Sequence, residues 1–120
     1  MFDHIGLQVK DLAAAVRFYE AVLKPLGFVL CSRDETSAGF GPKDAPALWL
    51  YADNKAKAAR THIALKAPTR KAADAFHAAG LESGGSDNGK PGIRADYAPN
   101  YYAAFLIDPD GNNIEAVCYH

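Results

Sequence analysis

The sequence predicts an α+β fold: two βαβββ modules with pseudo-twofold symmetry, whose strands form a curved mixed sheet around a cavity. Three observations predict it. The opening segment HIGLQV, residues 4–9, is echoed by HIALKA, residues 62–67. Phe18 follows His4 by 14 residues, and Phe76 follows His62 by the same 14. In each half, period-two alternation gives way to a 3.6-period stripe and then to short strand-like runs. Such a repeat implies two packed copies of one supersecondary unit, module 1 over about 1–52 and module 2 over about 61–120.

Taken in order, Ile5, Leu7 and Val9 point to one face of the first strand, and His4, Gly6 and Gln8 to the other. Asp11 caps a helix expected near 11–26, where Leu12, Val16, Tyr19, Leu23 and Leu26 recur at helical spacing and Gly27 ends the run. Short strands are expected at about 28–33, 36–41 and 47–51, with the turn-like GPKDAP before the last. Residues 52–60 are small and basic and read as a solvated linker containing Lys55, Lys57 and Arg60. The second module repeats the order. HIALKA alternates, and Thr69 caps a helix expected at 69–80 with Ala72, Ala73, Phe76 and Ala79 as its stripe and Gly80 as its end. SGGSDNGKPGIRADYAPN, residues 83–100, is rich in Gly and Asn and reads as a connecting stretch. A strand at about 101–107 and a hairpin turning at Asp110-Gly111 complete the chain.

At 120 residues the chain suits one domain with its own core. A net charge of −1 gives no electrostatic case for nucleic acid or an anionic membrane as a partner. No apolar run is long enough to cross a bilayer, and the N-terminus lacks the pattern of a secretory signal. A cytoplasmic location is therefore expected, with Cys31 and Cys118 as buried, reduced thiols.

The informative residue is Glu115, in the middle of the last strand among Ile114, Ala116 and Val117. A lone carboxylate among apolar neighbours is costly to bury unless something pairs with it or coordinates to it. On the expected fold His4, His62 and Glu115 share the inner faces.

HIGLQVKDLAAAVRFYEAVLKPLGF, HIAL and FLIDPDGNNIEAV resemble the vicinal oxygen chelate superfamily, the group of glyoxalase I, bleomycin-resistance proteins and extradiol dioxygenases. The resemblance covers nearly the whole chain. It implies paired βαβββ modules around a metal cavity, with His4, His62 and Glu115 as ligands of a divalent ion (Fe, Mn, Ni or Zn). Two imidazoles and a carboxylate leave open positions on such an ion, where two adjacent substrate oxygens would bind. Glu115 would then face a cation. It also implies a homodimer, with the site inside one chain or between two.

One position departs from that pattern. Aligning KDAP with PDGN sets Trp49 opposite Glu115, where glyoxalase I carries a carboxylate; an indole neither coordinates a metal nor moves a proton. Glyoxalase I activity is therefore not expected, and Trp49 reads as a packed aromatic or a substrate wall. Tyr101 or Tyr102, not both, faces the cavity as a candidate acid or orienting group. Tyr97 and Arg94 are candidate substrate contacts, the guanidinium for a carboxylate or phosphate. Two functions compete: a metal-dependent lyase, isomerase or dioxygenase acting on a small oxygen-rich molecule, and a non-catalytic drug-sequestering protein of the bleomycin-resistance type.

Overall fold

The computed structural model describes residues 1–120. Module 1 comprises β1 (Ile5–Val9), α1 (Leu12–Leu23), β2 (Val29–Arg33), β3 (Ser37–Gly41) and β4 (Leu48–Ala52). Module 2 comprises β5 (His62–Lys66), α2 (Arg70–Glu82), β6 (Ser86–Ile93), β7 (Tyr102–Ile107) and β8 (Asn113–Cys118). The modules form two four-stranded sheets, ordered β1-β4-β3-β2 and β5-β8-β7-β6, rather than one continuous sheet. Each is mixed: β1 pairs parallel with β4 and β5 parallel with β8, while the other pairs are antiparallel.

Both helices start as their caps dictate. Asp11 accepts from the amide of Ala14, and Thr69 from the amide of Ala72. Such a cap removes an orphan donor and is worth roughly 1 kcal/mol. Pro25 ends α1 early, the chain continuing as a 3-10 turn over Lys24–Leu26 until Gly27, in the left-handed region, closes it. Gly80, expected to end α2, lies inside it. It is there for closeness: a Cβ would come 2.3 Å from Cδ1 of Leu106 on β7.

The stretch 83–100 was expected to be a connection, but its first half is β6. That strand has register breaks around Gly89, carries Pro91, and sits at the sheet edge. Edge strands tolerate proline and bulges because one side makes no ladder bonds, and this hides them from composition.

One core joins the modules. Val9, Phe18, Tyr19, Phe40 and Leu50 of module 1 belong to the same buried cluster as Phe76, Leu106 and Ile114 of module 2. The phenylalanines at the repeat positions, Phe18 and Phe76, are both fully buried. A polar latch crosses the joint: the Tyr19 hydroxyl donates to Asp108 at 2.5 Å, and Asp108 also accepts from the amides of Asp110 and Asn112 and from the Asn112 side chain.

The edge strands β1 and β5 face each other across a groove and run in opposite senses. Ile5 shares a small cavity with Leu65, while Leu7 and Gln8 share a cleft with Thr61. No helix is long and apolar enough to cross a membrane.

Candidate functional site

Alternation decides which side chains leave the core. Ile63 and Leu65 lean into the helix-covered core, so His62, Ala64 and Lys66 take the open face of β5. On β8 the same register brings Asn113, Glu115 and Val117 to that face, with Glu115 beside Ala64 on one side and Phe105 of β7 on the other.

Glu115 is 2% exposed, and both of its oxygens are engaged. Tyr101 donates its hydroxyl to Oε2. Nε2 of His62 lies 3.2 Å from Oε1, and the imidazole itself stays half exposed. Nδ1 of His62 is 3.1 Å from the carbonyl oxygen of Asn113. A carbonyl only accepts, so Nδ1 carries a proton. A neutral imidazole would then aim its Nε2 lone pair at a carboxylate oxygen. That contact is satisfied by a proton shared between the two groups or by a metal ion that both would ligate. Burial, then the hydrogen bond and charge of Glu115, push the Tyr101 phenol well above its ordinary range. Tyr101 therefore stays protonated and holds the carboxylate as a donor.

Phe105 extends the site. Its ring stacks near His62 at 6.5 Å, and the Arg94 guanidinium lies 5.3 Å over the same ring. Tyr97 and Tyr119 each meet Tyr101 edge-to-face, at 5.1 and 5.2 Å. Phe105 and Tyr119 escaped the sequence reading. Alternation from Tyr101 would have found Phe105, whereas Tyr119 lies beyond the last strand.

Module 1 presents a different open face. Trp49 stands in register with Gly6 and Gly39, the place that Glu115 holds in module 2, as the turn alignment implied. Its ring lies on Gly39, where a Cβ would come within 2.8 Å, and Tyr51 lies likewise on Gly6, at 2.7 Å. The two rings are nearly parallel, 6.4 Å apart.

Two expectations need correction. Tyr102 turns to the helix side and donates to Asp74 of α2 at 2.5 Å, with Arg70 over its ring, so it is not a site residue. His4 does not join His62 and Glu115 within one chain. It is exposed, its Nδ1 2.6 Å from Asp3, and no group of three His, Cys, Asp or Glu side chains is placed to hold a metal ion. The reason is the pseudo-twofold. Both histidines sit at strand starts, and because β1 and β5 run oppositely, the starts lie at opposite ends of the groove, on the order of 10 Å apart along the strands.

A family model described as the Glyoxalase/Bleomycin resistance protein/Dioxygenase superfamily matches residues 1–116. No match was found among curated proteins. Of the solved structures similar to this chain, one is a glyoxalase/bleomycin resistance protein from Albidiferax ferrireducens T118, 29% identical, with TM-score 0.83 and 98% of each chain covered. Glyoxalase I from Zea mays is 25% identical with TM-score 0.74, covering 98% of this chain but 45% of that one. A family enzyme from Burkholderia phytofirmans PsJN, at 16% identity and TM-score 0.73 with 98% of each chain covered, shows the fold alone. With the sequence matched almost end to end and the paired βαβββ architecture observed, the chain belongs to the Glyoxalase/Bleomycin resistance protein/Dioxygenase superfamily.

Proposed function

We propose that the protein is a metal-dependent enzyme acting on a small molecule with two adjacent oxygens, its site assembled by two copies of the chain. The observation that carries this reading is the 3.2 Å gap between Nε2 of His62 and Oε1 of Glu115. Adjacent ligands of one ion, each bound at about 2.1 Å, stand roughly 3.0–3.4 Å apart. Two donors do not complete a site, and His4 cannot reach them within the chain. A homodimer in which a second copy supplies its own His4 provides the third and leaves positions open for substrate. Bound there, a divalent ion supplies Lewis acidity to the substrate's oxygens.

The chain's own residues do the rest. The Asn113 carbonyl fixes the His62 tautomer so that Nε2 offers its lone pair, the usual arrangement for a ligating histidine. Tyr101 holds Oε2 of Glu115, leaving Oε1 to face His62. Tyr97, Tyr101 and Tyr119 bring aromatic surface to that side of the carboxylate.

Thermal melting with EDTA and with added Mn, Fe, Ni or Zn tests the proposal, alongside elemental analysis of protein purified without chelator. One of these ions should stabilise the wild type by about 2.7 kcal/mol at a hundredfold excess over Kd. The increment should largely vanish in Glu115→Gln, His62→Ala and His4→Ala, and sedimentation should show a dimer. A second reading rests on the Trp49–Tyr51 surface: a metal-free protein that sequesters a flat molecule. It becomes the better account if no ion shifts the midpoint and purified protein contains none.

A further inference from the structure

We propose that Arg94 is the anion anchor of this site, so that the molecule taken at His62 and Glu115 carries a carboxylate beside its adjacent oxygens. The inference rests on the reading of His62 and Glu115 as the reacting centre and adds the substrate's charge class to it. Arg94 is held on three sides. Its Nη1 donates to the carbonyl of Gly92 at 2.9 Å, its Nη2 to the carbonyl of Lys90 at 2.6 Å, and its plane rests over Phe105. No carboxylate in the chain pairs with it. Two neutral carbonyls use two of the five N–H groups and leave the charge uncompensated. One N–H each on Nε, Nη1 and Nη2 is left over, on a plane whose orientation the two carbonyls and the ring already fix, which suits an oxyanion.

The backbone is shaped around this placement. Gly89, at φ +155, leaves space where a Cβ would come 3.1 Å from Nη2 and 2.9 Å from the Phe105 ring. The register breaks of β6 fall on both sides of the same glycine. His62, on the edge strand β5, and Arg94, just past the end of the opposite edge strand β6, both meet the Phe105 ring of β7, so the guanidinium lies within roughly 12 Å of the imidazole across the open face. A molecule the size of one substituted ring spans that interval. The exposed Lys90, whose carbonyl holds Nη2, carries charge of the same sign and adds to the attraction for an anion.

The test uses an isosteric pair, 3,4-dihydroxybenzoate and 3,4-dihydroxybenzamide, which share the adjacent oxygens and differ in charge. Binding to the full-length protein is followed by calorimetry and by amide shifts at His62 and Arg94, with the metal found for the protein present. The acid should bind at least tenfold tighter than the amide. Arg94→Gln should weaken the acid by roughly tenfold to a hundredfold, to the level of the amide, and leave the amide unchanged. Arg94→Lys should retain part of the preference, since it keeps the charge and loses the guanidinium plane. A merely structural Arg94 would weaken both ligands together, and that result overturns the proposal. Equal binding of acid and amide at His62 also overturns it while leaving the centre intact. Binding of neither ligand at His62 overturns both readings.

Discussion

Trp49 and Glu115 occupy the same place in two copies of one unit, each on the fourth strand of its module, flanked by the first and the third. In module 1 the flanking residues are Gly6 and Gly39; in module 2 they are Ala64 and Phe105. The glycines let an indole lie flat and half exposed, while the alanine and the ring enclose a carboxylate that reaches His62 and Tyr101. The repeat fixes where the backbone goes. What each face can do is decided one strand away, by how much room the neighbours leave. One half has become a flat aromatic surface and the other a site for charge.

Exchanging the two faces should give the largest effect. Glu115→Trp places an indole against Phe105 and takes the partner from both His62 and Tyr101. Overpacking a buried position typically costs 1–3 kcal/mol and the stranded polar groups add to it, so a loss of about 3 kcal/mol or more is expected in urea unfolding. Adding Phe105→Gly rebuilds the module 1 arrangement and should restore a substantial part. No recovery in the double variant would mean that the flanking residue does not decide the fit.

Gly39→Ala attacks the other face. The new Cβ would come 2.8 Å from the indole, but the ring has solvent to move into. A cost of about 1–2 kcal/mol follows, with a shift in the emission of the single tryptophan. In a Trp49→Ala background the same substitution should be close to neutral, and an equal cost there would place the clash elsewhere.

The contrast between faces was only half legible in the sequence. The strands, helices and the Trp49–Glu115 equivalence follow from local spacing, because period-two and period-3.6 patterns and turn residues act over a few neighbours. β6 did not show, since Gly, Asn and Pro serve a bulged edge strand as well as a loop. The flat seats under Trp49 and Tyr51, and the carbonyls around Arg94, depend on cross-strand register. The separation of His4 from His62 depends on the sense in which β1 passes β5, which no local pattern carries. Glu115 was expected to face a cation; the chain itself gives it an imidazole at Oε1 and a phenol at Oε2.

The helices differ at equivalent places as well. Tyr19 lies 15 residues after His4, and His77 lies 15 after His62. Tyr19 reaches across the joint to Asp108, whereas His77 reaches Asp87 of its own module's β6 at 2.8 Å. Tyr19→Phe should cost about 1 kcal/mol, because Asp108 keeps three other donors. Chemical denaturation at neutral pH reads this, and a loss well above 2 kcal/mol would mean the hydroxyl does more than close the latch.

The His77–Asp87 contact should give the smallest effect, and one that pH exposes. The hydrogen bond from His77, followed by the amide of Gly89, holds the Asp87 carboxyl below its ordinary value of 3.8. A carboxylate depressed in the folded state binds its proton more readily when unfolded. Its contribution is therefore present above that ordinary value and fades as pH falls through the lower folded one. Wild type should thus exceed Asp87→Asn in stability at about pH 6, and the difference should shrink as pH drops through about 4 and below. Asp87 is exposed, so the difference is modest and should weaken further in high salt. Parallel urea titrations of the two proteins from about pH 3 to pH 6 measure it. Growth of the difference toward low pH would reverse the sign and show that Asp87 is not held as a carboxylate by His77. Because the contact ties α2 to the strand that carries Gly89, its loss should also loosen the seat of Arg94. The equivalent helix contact of module 1 differs, since Tyr19 stays protonated throughout this range, its phenol pushed up by burial first and by Asp108 second.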